Sequence, residues 1–380
     1  MEQRGGRKQR RILFVGRLNS QNLRLVTSAA TNFRFEFGLR AIQIRRTMND
    51  ELAIASNRGP LPCAAKGFSR RDFIATSGLL AAAAAAPGCA MLEGTRGETI
   101  IDIHQHVGYS RKNTDALVQH QRVMGVTKTI LLPAGRNVNS AATHEGVSNG
   151  LEAKCLGNED CYRLVKADVK HYAFAANEVP DLADAIDVID KYLQKGAVAI
   201  AEQKFGVECD SPGMQRIYEL AAHNHVPVLM HWQYKRFNYG YDRFHKMLAK
   251  YPRTIFIGHA QTFWAHIDKN YKDDTSNLYP KGKVTPGGLT DRYLRDYPNF
   301  YGDLSAGSGL NAFKRDEEYG RNFFVQHQDK LIYGSDCNDS DGFGEKCQGA
   351  QMIAEIRKLV PNPKIRRKLF SGNAKKLFRI

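Results

Sequence analysis

The segment Thr99-Ile100-Ile101-Asp102-Ile103-His104-Gln105-His106 is a β-branched apolar run that ends in two histidines one residue apart. In an extended strand alternate side chains share a face, so His104 and His106 are expected to project together. Asp102 is expected on that same face, where it could orient an imidazole. A pair of neutral imidazoles presented in this way is half of a zinc-type ligand set.

Seven further apolar runs follow, over residues 128–133, 172–178, 197–205, 227–232, 254–260, 300–305 and 331–336. Amphipathic stretches separate them, clearest at 181–195, 214–224, 241–250 and 316–328. In the first of these, Leu182, Ile186, Ile189 and Leu193 recur every three or four residues and mark one buried helical face. Eight strand–helix units in series predict an α/β fold, a closed (β/α)8 TIM barrel, with an open doubly wound sheet as the alternative. The segments 134–165 and 261–289 exceed ordinary barrel loops and are expected to extend over the C-terminal face. Residues 345–359 and 364–378 read as closing helices.

The polar residues that matter sit at strand ends. His231 ends Val228-Leu229-Met230-His231, His259 follows Ile255-Phe256-Ile257-Gly258, and Asp336 ends Leu331-Ile332-Tyr333-Gly334-Ser335-Asp336. Barrel active sites are built at these C-terminal tips, so His104, His106, His231, His259 and Asp336 form the expected metal site. The fourth strand ends in Glu202 and Lys204, read as a further metal ligand and a contact for a substrate carboxylate. The alternatives are a carboxylated Lys204 and a simple Glu–Lys pair at the rim. Asp303 and Trp232 are further expected substrate contacts, and His144, His266, Arg136 and Tyr234 lie on or beside the mouth loops. His120, His171, His223, His225, His245 and His327 fall outside this pattern and are read as structural or exposed.

The order H-x-H, His, His, Asp on strands one, five, six and eight resembles the amidohydrolase superfamily, in particular its amidohydrolase-related (amidohydrolase 2) family. The resemblance runs from about Thr99 to Ile380 and includes the ending Phe370-Ser371-Gly372-Asn373-Ala374-Lys375-Lys376-Leu377-Phe378. It implies a divalent metal, usually zinc, with a bound water as nucleophile. His104, His106, His231 and His259 would be ligands, and Asp336 both ligand and general base. Glu202 looks like the bridging glutamate of the TatD-type branch, which would allow two ions rather than one. The expected activity is cleavage of an ester, lactone or amide of a small molecule. The alternatives are metal-dependent nonoxidative decarboxylation, phosphoester cleavage, and a binding protein without chemistry.

The chain has 380 residues and a formal net charge of +16, but the excess is concentrated at the front. Residues 1–89 hold 15 Lys/Arg against 5 Asp/Glu, and the remainder 40 against 34. No basic stripe interleaved with aromatics stands out, so nucleic acid is not an expected partner. Residues 1–90 are read as an N-terminal extension with an export signal, and 91–380 as the barrel. Ser69-Arg70-Arg71-Asp72-Phe73-Ile74 and the apolar run behind it resemble a twin-arginine signal, which implies the twin-arginine machinery as a partner and a periplasmic location. Ala86-Pro87-Gly88-Cys89 loosely resembles a lipobox, which would anchor the protein through a lipid on Cys89. Met48 is an alternative start. An oxidising compartment would permit Cys155–Cys161 and Cys337–Cys347 as local disulfides with Cys209 free; reduced buried cysteines are the alternative.

Overall fold

The structure, a computed structural model, describes residues 97–136 and 155–380. The extension with Arg70-Arg71, Cys63, Cys89 and Met48, and the loop residue His144, lie outside them. Eight short parallel strands are present: β1 (Ile101–Gln105), β2 (Lys128–Leu131), β3 (Tyr172–Phe174), β4 (Ile200–Gln203), β5 (Val228–His231), β6 (Phe256–His259), β7 (Phe300–Asp303) and β8 (Leu331–Ile332). Strands β1–β3 pair in sequence order, as do β4–β8. Backbone hydrogen bonds join the two groups. Val198 N donates to Phe174 O and Ala201 N to Ala176 O between β3 and β4, and Ile103 N donates to Tyr333 O between β8 and β1. The sheet therefore closes into the expected (β/α)8 barrel.

Alternating side chains divide the core into two layers. Ile101, Ile103, Ile130, Leu132, Ala173, Ala175, Ala199, Ala201, Leu229, Ile257, Tyr301 and Ile332 fill the barrel interior. Residues of the opposite parity, such as Leu131, Phe174, Ile200, Met230 and Phe256, pack under the helices. Ala374 and Phe378 join the interior layer, so the C-terminal helix plugs the end of the barrel away from the histidines.

The helices are α1 (Thr114–Val123), α2 (Asn158–Ala167), α3 (Ala185–Gln194), α4 (Pro212–Asn224), α5 (His245–Lys250), α6 (Ala260–Ala265), α7 (Leu289–Asp296), α8 (Ala306–Lys314), α9 (Glu317–Gln326), α10 (Gln348–Leu359), α11 (Pro363–Arg367) and α12 (Asn373–Phe378). Several begin where side chains cap them. Asn113 accepts from Ala116 N, Ser211 from Met214 N with Pro212 at the first helical position, and Asp316 from Tyr319 N. The long-loop expectation holds only in part. Helix α2 occupies the end of 134–165, and α6 follows β6 directly, which leaves 266–288 as the connection to α7.

Two strands depart from plain alternation. The β1–β2 register shifts between Asp102 and Gln105, and the β4–β5 register shifts between Ile200 and Gln203. Each slip lets consecutive residues turn inward, Ile103 with His104 and Ala201 with Glu202. Asp102 is consequently carried to the other face. It accepts from Ser335 Oγ (2.6 Å), Ser335 N (2.8 Å) and Gln121 Nε2 (3.0 Å) and bonds no imidazole, so its expected role is corrected: it ties β1 to β8 and α1.

Candidate metal centre

The strand ends bring six of the expected residues together. His104 Nε2, His106 Nε2, Glu202 Oε2 and Asp336 Oδ1 lie 3.3–3.7 Å from one another where measured. The second oxygen of each carboxylate turns towards His259: Glu202 Oε1 is 3.7 Å and Asp336 Oδ2 3.6 Å from His259 Nε2. His231 joins through Nδ1, 2.6 Å from Glu202 Oε1. Both carboxylates thus face the H-x-H pair with one oxygen and the β5/β6 histidines with the other.

Three atoms of this cluster, Glu202 Oε2, His259 Nε2 and Asp336 Oδ1, are buried without a hydrogen-bond partner among the described residues. Leaving such a group unsatisfied costs about 1–3 kcal/mol, more when it is charged. All three belong to one cluster of convergent N and O donors, which is the chemistry that holds a divalent cation. The electrostatics agree. Burial alone would lower the His104 imidazole, but Asp336, Asp303 and Glu202 outweigh it and raise it to about 10. His106 is likewise raised against the effect of burial, by Cys155 and by the carboxylates of Asp336 and Glu202, 3.5 and 3.3 Å away. Burial opposes ionisation of both acids, yet Lys204, His104 and His106 hold Glu202, and His104 and His106 hold Asp336, below the usual carboxylate range. His259 is pushed well down by burial and by His104 and His231. The anionic centre draws positive charge to itself, which a bound dication would supply.

A supporting layer fixes the rings. His106 Nδ1 donates to Leu132 O (2.8 Å). His104 Nδ1 is 2.7 Å from Asp303 Oδ2, and Ser305 Oγ lies 2.9 Å from His259 Nδ1 while donating to Asp303 Oδ2 at 2.8 Å. Asp303, expected at the substrate, is fully buried with its carboxylate committed to His104 and Ser305, and so holds the His104 ring instead. Gly334 permits this packing, since a Cβ there would lie 2.4 Å from Asp303 Oδ1 and 2.9 Å from His104 Cβ. Backbone strain concentrates here too: Ala260, Ala306 and Asp336 have φ of 79°, 61° and 43°, left-handed values that are unfavourable for non-glycine residues.

Lys204 lies at the rim, 17% exposed, with Nζ 3.9 Å from Glu202 Oε1 and 5.9 Å from the centre of the Phe237 ring. Trp232 does not. Its ring is fully buried against Tyr241 and Phe244 in the layer beneath the helices, because its position after His231 has the outward parity. Arg136 pairs with Glu178 and Asp184 beside β2 and β3, and His266 bonds Asp273 in the 266–288 segment. Two residues not anticipated from the sequence lie at the centre. Tyr109 packs its ring 5.0 Å from that of His106, and the charge of Asp336, with burial, raises its phenol. Cys155 lies near enough to His106 to act on its ring electrostatically. The cysteines at 155, 161, 209, 337 and 347 are all free, so neither expected disulfide is formed.

A strand-end set of histidines and carboxylates in a (β/α)8 barrel defines a metal-dependent barrel enzyme. The sequence profile described as Amidohydrolase matches residues 101–380, and the chain belongs to that family, which implies a divalent metal. No curated protein matches in sequence. Among solved structures, an uncharacterized TIM-barrel protein from Bordetella bronchiseptica is similar at 12% identity and a TM-score of 0.51, over 74% of this chain and 98% of its own. A probable 2-pyrone-4,6-dicarboxylic acid hydrolase from Acinetobacter baumannii aligns at 13% identity and 0.48, over 74% and 100%. A dihydroxybenzoic acid decarboxylase from a Polaromonas species, with bound manganese and an inhibitor, aligns at 14% and 0.48, over 74% and 97%. At 12% identity the likeness to the Bordetella protein bears on the fold alone.

Proposed function

We propose that the protein is an exported hydrolase that cleaves an ester, lactone or amide bond of a small carboxylated molecule with a metal-activated water. One observation carries this reading: the partnerless buried atoms of Glu202, His259 and Asp336 belong to one cluster with the Nε2 atoms of His104 and His106. His104, His106, His231, His259, Glu202 and Asp336 would hold the metal, for which zinc suits the mixed imidazole and carboxylate set. The two-sided presentation of Glu202 and Asp336 suits one ion or a bridged pair. Bound there, the metal supplies a water acidified to near neutrality and polarises the carbonyl under attack.

The remaining work belongs to the chain. Asp336 accepts the proton of the attacking water and returns it to the leaving oxygen or nitrogen as the scissile bond breaks. Tyr109 packs edge-on against the His106 ring and holds its direction. Lys204, partly exposed beside Glu202, binds the substrate carboxylate, and Asp303 and Ser305 keep His104 and His259 from rotating. Export through the Arg70-Arg71 signal, with or without a lipid on Cys89, completes the proposal and is checked by N-terminal sequencing of the mature native protein.

Lys204 also favours a second reading. A carboxylate held there suits nonoxidative decarboxylation, in which the C–C bond breaks, carbon dioxide leaves and Asp336 delivers a proton to the carbon. Turnover of carboxylated lactones, esters and aromatic acids in 18O-labelled water separates the two. Hydrolysis places one labelled oxygen in the organic product; carbon dioxide release with no label in the organic product moves the assignment to the decarboxylase.

A further inference from the structure

Outside the centre, a second group of ligand-type side chains closes on itself. His120 of α1, Cys337 and Asp339 after β8, and Cys347 at the start of α10 each offer one atom, and all four atoms lie within 4.8 Å of one another. Cys337 Sγ and Cys347 Sγ are 3.7 Å apart, His120 Nε2 is 3.5 Å from Cys347 Sγ, and His120 Nε2 is 3.5 Å from Asp339 Oδ2. We propose that these four residues form a closed structural site for a thiophilic divalent metal, zinc above all, separate from the catalytic one.

Three features carry the proposal. The first is geometry. A tetrahedral ion with Zn–S near 2.3 Å and Zn–N and Zn–O near 2.0 Å sets sulfur–sulfur edges of about 3.8 Å, sulfur–nitrogen edges of about 3.5 Å and nitrogen–oxygen edges of about 3.3 Å. The sulfur–sulfur, Cys347–His120 and His120–Asp339 separations of 3.7, 3.5 and 3.5 Å match these to about 0.2 Å, and the other three lie within 4.8 Å. The second is burial. His120 and Cys347 are fully buried, Cys337 is 1% exposed, and the Asp339 side chain is 7% exposed, so four ligands and no open position remain, as structural sites require. His120 Nδ1 has no hydrogen-bond partner, so the polar surroundings of this buried ring are the two thiols and the carboxylate at its Nε2 side.

The third is charge. Two thiolates, a carboxylate and a neutral imidazole around a dication sum to one negative charge. Lys112 supplies the counter-charge, its Nζ donating to Cys337 O (3.0 Å) and Asp339 O (2.7 Å) on the same loop. Loading releases the two thiol protons to solvent and needs no oxidant. The site also bears on catalysis. Cys337 follows Asp336 directly, and its carbonyl accepts from Gln105 Nε2 (3.1 Å), the residue between His104 and His106. Metal at Cys337 therefore pins the backbone that carries Asp336.

The test is cobalt(II) reconstitution of the purified full chain after chelation. The expected result is a near-ultraviolet thiolate-to-cobalt charge-transfer band of one equivalent per chain. It should persist in His259→Ala and in Cys155→Ser and vanish in Cys347→Ser, while Asp339→Asn weakens its titration at least tenfold. Wild-type protein with no such band would overturn the proposal without recourse to any variant. So would peptide mapping that finds Cys337 and Cys347 joined as a disulfide. A band lost in His259→Ala or Cys155→Ser would assign the thiolate signal to the catalytic centre instead. Failure of the hydrolase reading leaves the band in place, so the two proposals fall separately.

Discussion

The two ligand clusters lie on either side of the same loop and differ in kind. At the mouth, imidazoles and carboxylates meet, three donor atoms lack partners, and a partly exposed Lys204 borders the cluster. Behind it, two sulfurs, one imidazole and one carboxylate close on themselves and are buried. Hard and borderline donors around an accessible position suit a Lewis acid that must bind and release substrate. Soft donors in a complete shell suit an ion that stays put and contributes to folding. On these two proposals Asp336 would serve one task and its neighbour Cys337 the other.

Variants should pull these tasks apart. The largest effect is expected from Asp336→Asn, a loss of about 10²–10⁴ in kcat with the fold retained, read by steady-state kinetics and a thermal melt. The Cys337→Ser/Cys347→Ser pair should do the reverse: a lower melting midpoint, about 4 kcal/mol if free metal exceeds its Kd a thousandfold, with kcat reduced far less than in Asp336→Asn. Equal kcat losses in the two variants would erase the distinction. Asp303→Asn removes the carboxylate that holds His104 and should weaken metal affinity at the mouth by about 10–100-fold in a competitive chelator titration. Lys204→Met should raise KM about tenfold with kcat changed little, since a charge-assisted hydrogen bond contributes about 1.5–3 kcal/mol.

The smallest signal is a pH slope in metal-stripped protein. His104 is raised to about 10 when folded, above an unfolded value near 6.5. Its protonation therefore stabilises the fold fully below the unfolded value, and this contribution is lost as pH rises towards 10. The melting midpoint of stripped protein should fall between pH 7 and pH 10. Metal-loaded protein, in which the ion replaces that proton, should lack this component.

The barrel was legible because its strands are short apolar runs that end in chemistry-bearing residues, and the six converging side chains all stood at such ends. Strand parity, however, depends on an even register, and the shifts at Asp102–Gln105 and Ile200–Gln203 are not marked by glycine or proline. Asp102 was therefore assigned to the wrong face. Trp232 was misplaced for a simpler reason: being next to a mouth residue puts a side chain on the opposite side of the sheet. Helix α6 was hidden because it begins at once after His259, through the strained Ala260, with no capping side chain. The His120 cluster draws on α1, on the segment after β8 and on the first turn of α10, and the distance in sequence from His120 to the other three conceals it; Cys337 and Cys347 alone read as a local disulfide.

The loop from Cys337 to Cys347 also sets a limit on how this barrel can be remodelled. Gly342, with φ of 79°, lies so close to α1 that a Cβ would be 2.6 Å from His120 O, and Lys112 grips the carbonyls of Cys337 and Asp339. A chimera that exchanges the 266–288 segment can alter the surroundings of the mouth and leave the machinery aligned. One that exchanges 337–347 must import its own partner for His120, or the Asp336 carboxylate loses its anchor; new surroundings can be grafted at one rim of this barrel and not at the other.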